Sequence, residues 1–391
     1  MADVVATMAS QRGDDALARL LAVGYIPPDA PAVHSTQCSI ADAKRSLAPR
    51  HAQSVWQSGA PSVSVSIDGG AVVVDVDCAG PPTRLEDNVR RVPCAAFKCE
   101  HGDDLPREPT VLTECCAGWR ALEWSVSTLA ARGLGTVSLD GGPAFARMSL
   151  GNARASMDAY AAYCRAGADG DAAPLYVFDA DVLSSSFADG SALASEWSTP
   201  KCFSHDAQAG VTGSEFRPLP PAWLLVGARR SGTPIHNHPT TAAWNALLSG
   251  SKAWVVLPPD VDEAALMLPV LEAAGAGEAP GRAEEASAFD LSALEWFARC
   301  AERTLPPRAH VIAQRPGEVV FVPAGWWHVV LNVTDATALS VSLALRRDID
   351  ELVPALLRED ARFAMHWLST LNISAARREE LLRASRAEVA T

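Results

Sequence analysis

Apolar and polar residues alternate with a period of two through much of the middle of the chain. Toward both ends the spacing lengthens to helical intervals. The segment PSVSVSIDGGAVVVDVDC (61–78) predicts a hairpin. Val63, Val65 and Ile67 alternate with polar positions, Gly69-Gly70 supplies the positive φ of a tight turn, and Val72, Val74 and Val76 alternate on the return. Further strands are predicted in PLYVFDADV (174–182), in PPAWLLVGARRSGTPIHNHP (220–239, running into a Gly/Pro bend) and in AWVVLPP (253–259). RPGEVVFVPAGWWHVVLNV (315–333) reads as strand, turn, strand, and ATALSVSLALR (336–346) as another strand. Helical spacing is found in 14–25, in 153–167 (Met157, Tyr160 and Tyr163 as core contacts), in 290–305 with an Asp or Ser start, and through 347–391. The Ala/Gly/Glu-rich stretch 271–288 reads as a loop. Three regions follow: an N-terminal region, 1–105, of unassigned role; a strand-rich domain, 106–346; and a helical tail, 347–391. The expected fold class is mainly β with flanking helices, and many short strands with Gly/Pro turns favour a sandwich or barrel core.

Composition narrows the function classes. The chain has 391 residues with 48% hydrophobic and 20% charged positions, a globular balance. The best apolar run, Trp223 to Ala228, is far short of the ~18–20 residues of a membrane span, so no membrane role is expected. The N-terminus lacks a basic start followed by an apolar core, the pattern of a secretory signal. Net charge is 33 − 46 = −13, which argues against a broad nucleic-acid surface. Nine scattered cysteines read as reduced thiols, so the expected location is intracellular, nuclear or cytoplasmic. Cys94, Cys99 and His101 sit close together, but the spacing is loose for zinc, and buried or surface thiols are the plainer reading.

Three histidines are the candidates for chemistry. His236 and His238 are two apart, so on a strand both imidazoles face one side. His328 falls inside Gly317-x5-Pro323-x-Gly325-x2-His328-x3-Asn332, a pattern that aims a histidine inward from a neighbouring hairpin. Any one of them alone is more often a satisfied polar residue. Together, on one face, three ligands leave the opposite positions of a metal open to substrate.

Gly232-x3-His236-x-His238, Gly250, and the Gly317 to Asn332 pattern resemble the two cupin motifs. RRSGTPIHNHPTTAAWNALLSGSKAWVVLPP and QRPGEVVFVPAGWWHVVLNV resemble the Jumonji C (JmjC) family more closely, nearest to its arginine demethylase and lysyl-hydroxylase branch. The likeness spans roughly 108–346. It implies a double-stranded β-helix (a jelly-roll, cupin-like core) that holds Fe(II) and the cosubstrate 2-oxoglutarate. By motif, His236 and His328 become metal histidines with His238 at the second ligand position. Lys252 becomes the partner of the far carboxylate of 2-oxoglutarate, Thr233 and Asn245 line that cosubstrate, and Ser340 assists the lysine. A lysine pointing into an apolar barrel needs a counter-anion, and a dicarboxylate supplies one; a lysine snorkelling to water is the alternative.

The family carries Asp or Glu where this chain has His238, and the segment from His236 to Trp244 is one residue shorter than the family's. Three neutral imidazoles leave a divalent metal uncompensated, which alters metal preference and oxygen activation. The expected function is therefore an Fe(II)- and 2-oxoglutarate-dependent dioxygenase, a hydroxylase or demethylase acting on a protein substrate. The alternative is a catalytically altered or inactive cupin-like metal-binding scaffold. Trp244, Trp326 and Trp327 are expected to pack the barrel, Arg229 and Arg230 to be a solvated pair, and the helical tail is a candidate homodimer arm.

Overall fold

The computed structural model describes residues 43, 63–76, 81–102, 104–140, 153–166, 171, 174–211, 222–239, 241–262, 291–300, 304–359 and 361–388. The helix expected at 14–25 and the loop expected at 271–288 lie outside the described residues.

The first strands among the described residues are β1 (Val63–Asp68), β2 (Ala71–Val76), β3 (Thr83–Leu85) and β4 (Arg91–Pro93), followed by helix α1 (Cys94–His101). Next come β5 (Thr110–Thr113), α2 (Val126–Ala131), β6 (Thr136–Asp140), β7 (Ala153–Ser156), α3 (Met157–Ala166) and β8 (Tyr176–Asp179). The central strands are β9 (Ala222–Gly227), β10 (Gly232–His236), β11 (Ala242–Ser249) and β12 (Lys252–Leu257). Helix α4 (Ala293–Cys300) precedes β13 (His310–Gln314), β14 (Val319–Val322), β15 (Trp327–Asn332) and β16 (Ala336–Leu343). The tail is α5 (Ile349–Glu359), α6 (Ala361–Thr370) and α7 (Ala375–Glu388).

From β9 to β16 the chain shuttles between two sheets. The smaller is ordered β10-β15-β12-β13, and the larger contains β14-β11-β16-β9 within the order β4-β5-β14-β11-β16-β9-β8-β6-β7. This is the jelly-roll expected from the sequence. Alternation decides which face each residue takes. On β11, Trp244, Ala246 and Leu248 pack into the core behind the large sheet, whereas Ala243 and Asn245 line the space between the sheets. On β16, Leu339, Val341 and Leu343 face that outer core while Ser340 and Ser342 face inward.

The predicted hairpin forms as β1 and β2, with Val63 opposite Val76 and Ile67 opposite Val72 around Gly69-Gly70. Val72 and Val74 are fully buried in the same cluster as Ile235, Phe297 and Leu331, so the hairpin closes the back of the small sheet. Burial of that kind stabilises by about 1.5–3 kcal/mol per side chain. Strand β4 lies before residue 105, yet it pairs with β5 in the large sheet. The segment 153–167 opens as strand β7 and becomes helical only at Met157, because residues 153–156 pair with β6. Met157, Tyr160 and Tyr163 are core residues as expected. Ser292 caps helix α4: its hydroxyl accepts from Glu295 N (3.2 Å) while the Glu295 carboxylate accepts from Ser292 N (2.8 Å). The tail helices pack around Trp367, Leu368, Leu352 and Val353, and Trp367 Nε1 donates to the carbonyl of Ala207 (2.8 Å).

Two glycines are required by contact. A Cβ on Gly232 would stand 2.0 Å from the Val330 carbonyl oxygen. Gly250 has a φ of +83°, and a Cβ there would lie 2.1 Å from the Asp335 carbonyl oxygen. The first lets β10 lie tight against β15; the second lets the β11–β12 turn close on the start of β16.

Candidate metal centre

Strands β10 and β15 pair so that His236 stands directly opposite His328, and directly opposed side chains on a sheet share a face. His238 follows the end of β10 and is not in the strand. The same-side argument for i and i+2 therefore does not apply to it; the Gly325 N–H donates to the His238 carbonyl (2.8 Å), which ties this residue to the turn before β15. The three rings converge, with centroids 4.1 Å apart for His236 and His328, 4.9 Å for His236 and His238, and 5.3 Å for His238 and His328. One ligand nitrogen from each lies within 4.8 Å of the others.

The backbone sets the ring orientations. His236 Nδ1 meets the Pro234 carbonyl at 2.8 Å and His328 Nδ1 meets the Trp326 carbonyl at 3.0 Å. That assigns the proton to Nδ1 and the ligand lone pair to Nε2. Burial pushes His236 down to about 4 and His238 down to about 3, and holds His328 well below the ordinary imidazole value. All three are therefore neutral near pH 7, the form that binds a metal.

These rings open into a pocket between the two sheets, lined by both apolar and polar side chains. Thr233, Asn245, Lys252 and Ser340 all line it, so the structure brings every predicted site residue to one space. Lys252 is 1% exposed, and among the described residues no carboxylate pairs with it. Burial pushes its ammonium from 10.5 down to about 7. Its cationic neighbour-seeking contact is the Tyr176 ring, 5.7 Å from Nζ. The buried Asn245 Oδ1 also lacks a hydrogen-bond partner among the described residues.

The β12–β15 register separates the lysine from the imidazoles. Lys252 pairs with Asn332, and Val256, four residues on, pairs with His328. That is about 13 Å along the strand at ~3.3 Å per residue. A lysine reaching in from one end and imidazoles from the other leave room for a short dicarboxylate. A divalent cation would find three neutral nitrogen donors, and a dianion would find the ammonium; among the described residues no Asp or Glu lines the pocket. Both groups fit.

Sequence reasoning missed several contributors. Tyr176 and Phe178 on β8 and Trp223 on β9 line the pocket, with Phe178 stacked on Trp223 at 4.4 Å. The alternation in YVFD groups Tyr176 with Phe178, but the sheet partner alone decides which face is inward. Gln314, fully buried, accepts from Trp254 Nε1 (2.8 Å) and donates to the carbonyls of Asn245 (3.0 Å) and Glu318 (3.1 Å), so it braces one sheet against the other. Asn332 Nδ2 donates to Ser231 Oγ (2.9 Å) and fixes the bend that feeds β10. Trp244 and Trp326 are buried packing residues, as expected. Arg229 is exposed, whereas Arg230 is partly buried at a turn position with φ of 72°, so the two do not form a solvated pair.

Residues 105–345 match the cupin-like domain. The chain is 33% identical over 264 residues to the arginine-specific demethylase JMJ22 of Arabidopsis thaliana, covering 66% of this chain and 46% of that protein. It is 30% identical over 317 residues to the bifunctional arginine demethylase and lysyl-hydroxylase psr-1 of Caenorhabditis elegans, covering 77% of this chain and 71% of that protein. It is 26% identical over 119 residues to the 2-oxoglutarate and iron-dependent oxygenase JMJD4 of Mus musculus, covering 30% of this chain and 25% of that protein. The chain thus spans about half the length of JMJ22.

Proposed function

The chain belongs to the cupin-like JmjC domain family, and on that footing we propose that it is an Fe(II)- and 2-oxoglutarate-dependent oxygenase acting on a protein side chain. One observation carries the reading: a fully buried lysine with no anion partner among the described residues shares a pocket with three neutral imidazoles. His236, His238 and His328 would hold the metal. Lys252 would pair with the far carboxylate of 2-oxoglutarate, with Thr233, Asn245 and Ser340 beside it. When bound, Fe(II) with this cosubstrate and O2 supplies the oxidation of a substrate C–H bond.

The chain's own residues do the positioning. The Pro234 and Trp326 carbonyls hold the Nδ1 protons of His236 and His328, which keeps each Nε2 aimed inward. The apolar walls around Val320, Val322 and Val330 lower the local polarity and strengthen the attraction of Lys252 for an anion. The dicarboxylate returns the lysine to its charged form, because an opposite charge at close range raises an ammonium's proton affinity. His238 brings no negative charge, so the cosubstrate carboxylates are the main source of neutralisation for a divalent metal here.

The names of JMJ22 and psr-1 point to arginine and lysine side chains as the substrate class, with hydroxylation, or demethylation of an N-methyl group, as the outcome. His238 favours a second reading, a metal-binding cupin that does not turn over 2-oxoglutarate. The test is succinate formation by the purified chain with Fe(II), ascorbate and 2-oxoglutarate, alongside measured metal content. Succinate supports the oxygenase; retained metal with no succinate overturns it in favour of the second reading.

A further inference from the structure

Three cysteines far apart in sequence meet on the side of the large sheet away from the pocket. Cys94 opens α1 directly after Pro93, Cys115 lies just past β5, and Cys202 sits in the short 3-10 turn Lys201–Phe203. Their sulfurs all lie within 4.8 Å of one another, and those of Cys94 and Cys202 are 3.3 Å apart. The grouping differs from the Cys94, Cys99 and His101 set considered from the sequence. Cys99 is exposed, and His101 stands edge-on to Phe97 at 4.9 Å.

Packing holds the three segments together independently of the sulfurs. Phe203 stacks on Trp244 and on Phe321, each at 5.7 Å, and Phe97 from α1 lies 6.2 Å from Phe203. Lys98 Nζ donates to the Lys201 carbonyl at 3.0 Å. The sulfurs are therefore presented to one point by a rigid aromatic framework. A disulfide would use two of them and strand the third. Three thiols gain little from one another as weak donors, and three thiolates would repel. A soft cation satisfies all three at once.

We propose that Cys94, Cys115 and Cys202 form a second metal centre, for a thiophilic d10 cation of the zinc class, bound by three thiolates with water as the fourth ligand. As the divalent ion enters, three S–H protons leave, and the site passes from neutral to one net negative charge. The Lys98 ammonium favours that charge, since it stabilises a thiolate on Cys202. The centre would clamp α1 and the 200–204 turn onto the end of β5. It stands on this geometry alone and does not rest on the function proposed for the imidazole pocket.

The test is a Co(II) titration of the full chain, reduced and stripped of metal. Thiolate-to-cobalt charge transfer reports sulfur ligation and is silent for three imidazoles. One equivalent of sulfur-bound cobalt, displaced by Zn(II), is expected. The band should vanish in Cys115→Ser and Cys202→Ser and persist in Cys99→Ser and His236→Ala. Because a cysteine variant can fail to fold, alkylation of the natural chain provides a second readout: Zn(II) should protect Cys94, Cys115 and Cys202 together. Absence of a sulfur band, a band that survives loss of both Cys115 and Cys202, or protection of other cysteines overturns the proposal.

Discussion

Replacing Lys252 with methionine separates the cost of burying a charge from the use made of it. The ammonium is 1% exposed, and burial lowers it from 10.5 to about 7. At about 1.4 kcal/mol per tenfold, that change amounts to about 4–5 kcal/mol of lost preference for the charged form. The unfolded chain keeps this proton up to 10.5, whereas the folded chain releases it near 7. Between those values the unfolded state binds more protons, so the lysine makes stability rise with pH and destabilises the fold at neutral pH. Methionine has nearly the same length and no charge. With pocket water and local relaxation screening the charge, a measured gain of about 1–2 kcal/mol is expected, or several degrees in melting temperature. Added 2-oxoglutarate should raise the melting temperature of the natural chain and leave that of Lys252→Met unchanged. Turnover of 2-oxoglutarate should be abolished. Melting curves between pH 7 and 10.5, with and without the dicarboxylate, read the first two effects, and succinate formation reads the third. A variant that melts lower than the natural chain throughout that range, or one that forms succinate at the natural rate, refutes the argument that this charge is held in reserve for an anion.

His238→Asp restores a carboxylate to an otherwise all-imidazole donor set and should retain or raise Fe(II)-dependent turnover; complete metal loss, measured by elemental analysis, would show that the neighbouring residues are adapted to the imidazole. Gly232→Ala places a Cβ 2.0 Å from the Val330 carbonyl, so β10 must move off β15. The expected result is a loss of about 2 kcal/mol or more in denaturant unfolding and weaker metal retention, because His236 and His328 are held together by that pairing. Glu196, 2% exposed, accepts from Arg132 at 2.6 and 2.8 Å and from Trp124 Nε1 at 2.7 Å. Glu196→Gln should cost about 2–4 kcal/mol at neutral pH without touching the pocket. Arg132 holds this carboxyl below its ordinary 4.5, so its contribution is full above that value and fades as pH falls below it; a variant showing the same acid unfolding profile as the natural chain would contradict this.

Much of the barrel was legible because its strands announce themselves locally. The strand holding Leu224 and Leu225, the Pro323-x-Gly325 turn before His328 and, outside the barrel, the hairpin around Gly69-Gly70 each need only short-range alternation and turn chemistry. The segment 153–167 shows where that information ends. Its residues allow a helix throughout, and only the edge offered by β6 draws 153–156 into a strand. His238 makes the same point in the other direction: it joins the other imidazoles although the strand has already ended, through a hydrogen bond from Gly325, 87 residues later in the chain.

Residue types and their order therefore determined the donors: three histidines, one interior lysine, and the glycines that permit close strand approach. Tertiary packing decided which of them meet. Tyr176 enters the pocket because β8 pairs with β9, and Cys94, Cys115 and Cys202 converge because Phe97 and Phe203 pack on Phe321 of β14, the neighbour of β5. No spacing rule encodes such a meeting. Periodicity fixes a residue's face relative to its own strand, while the distance between strands remote in sequence is set by the core they share.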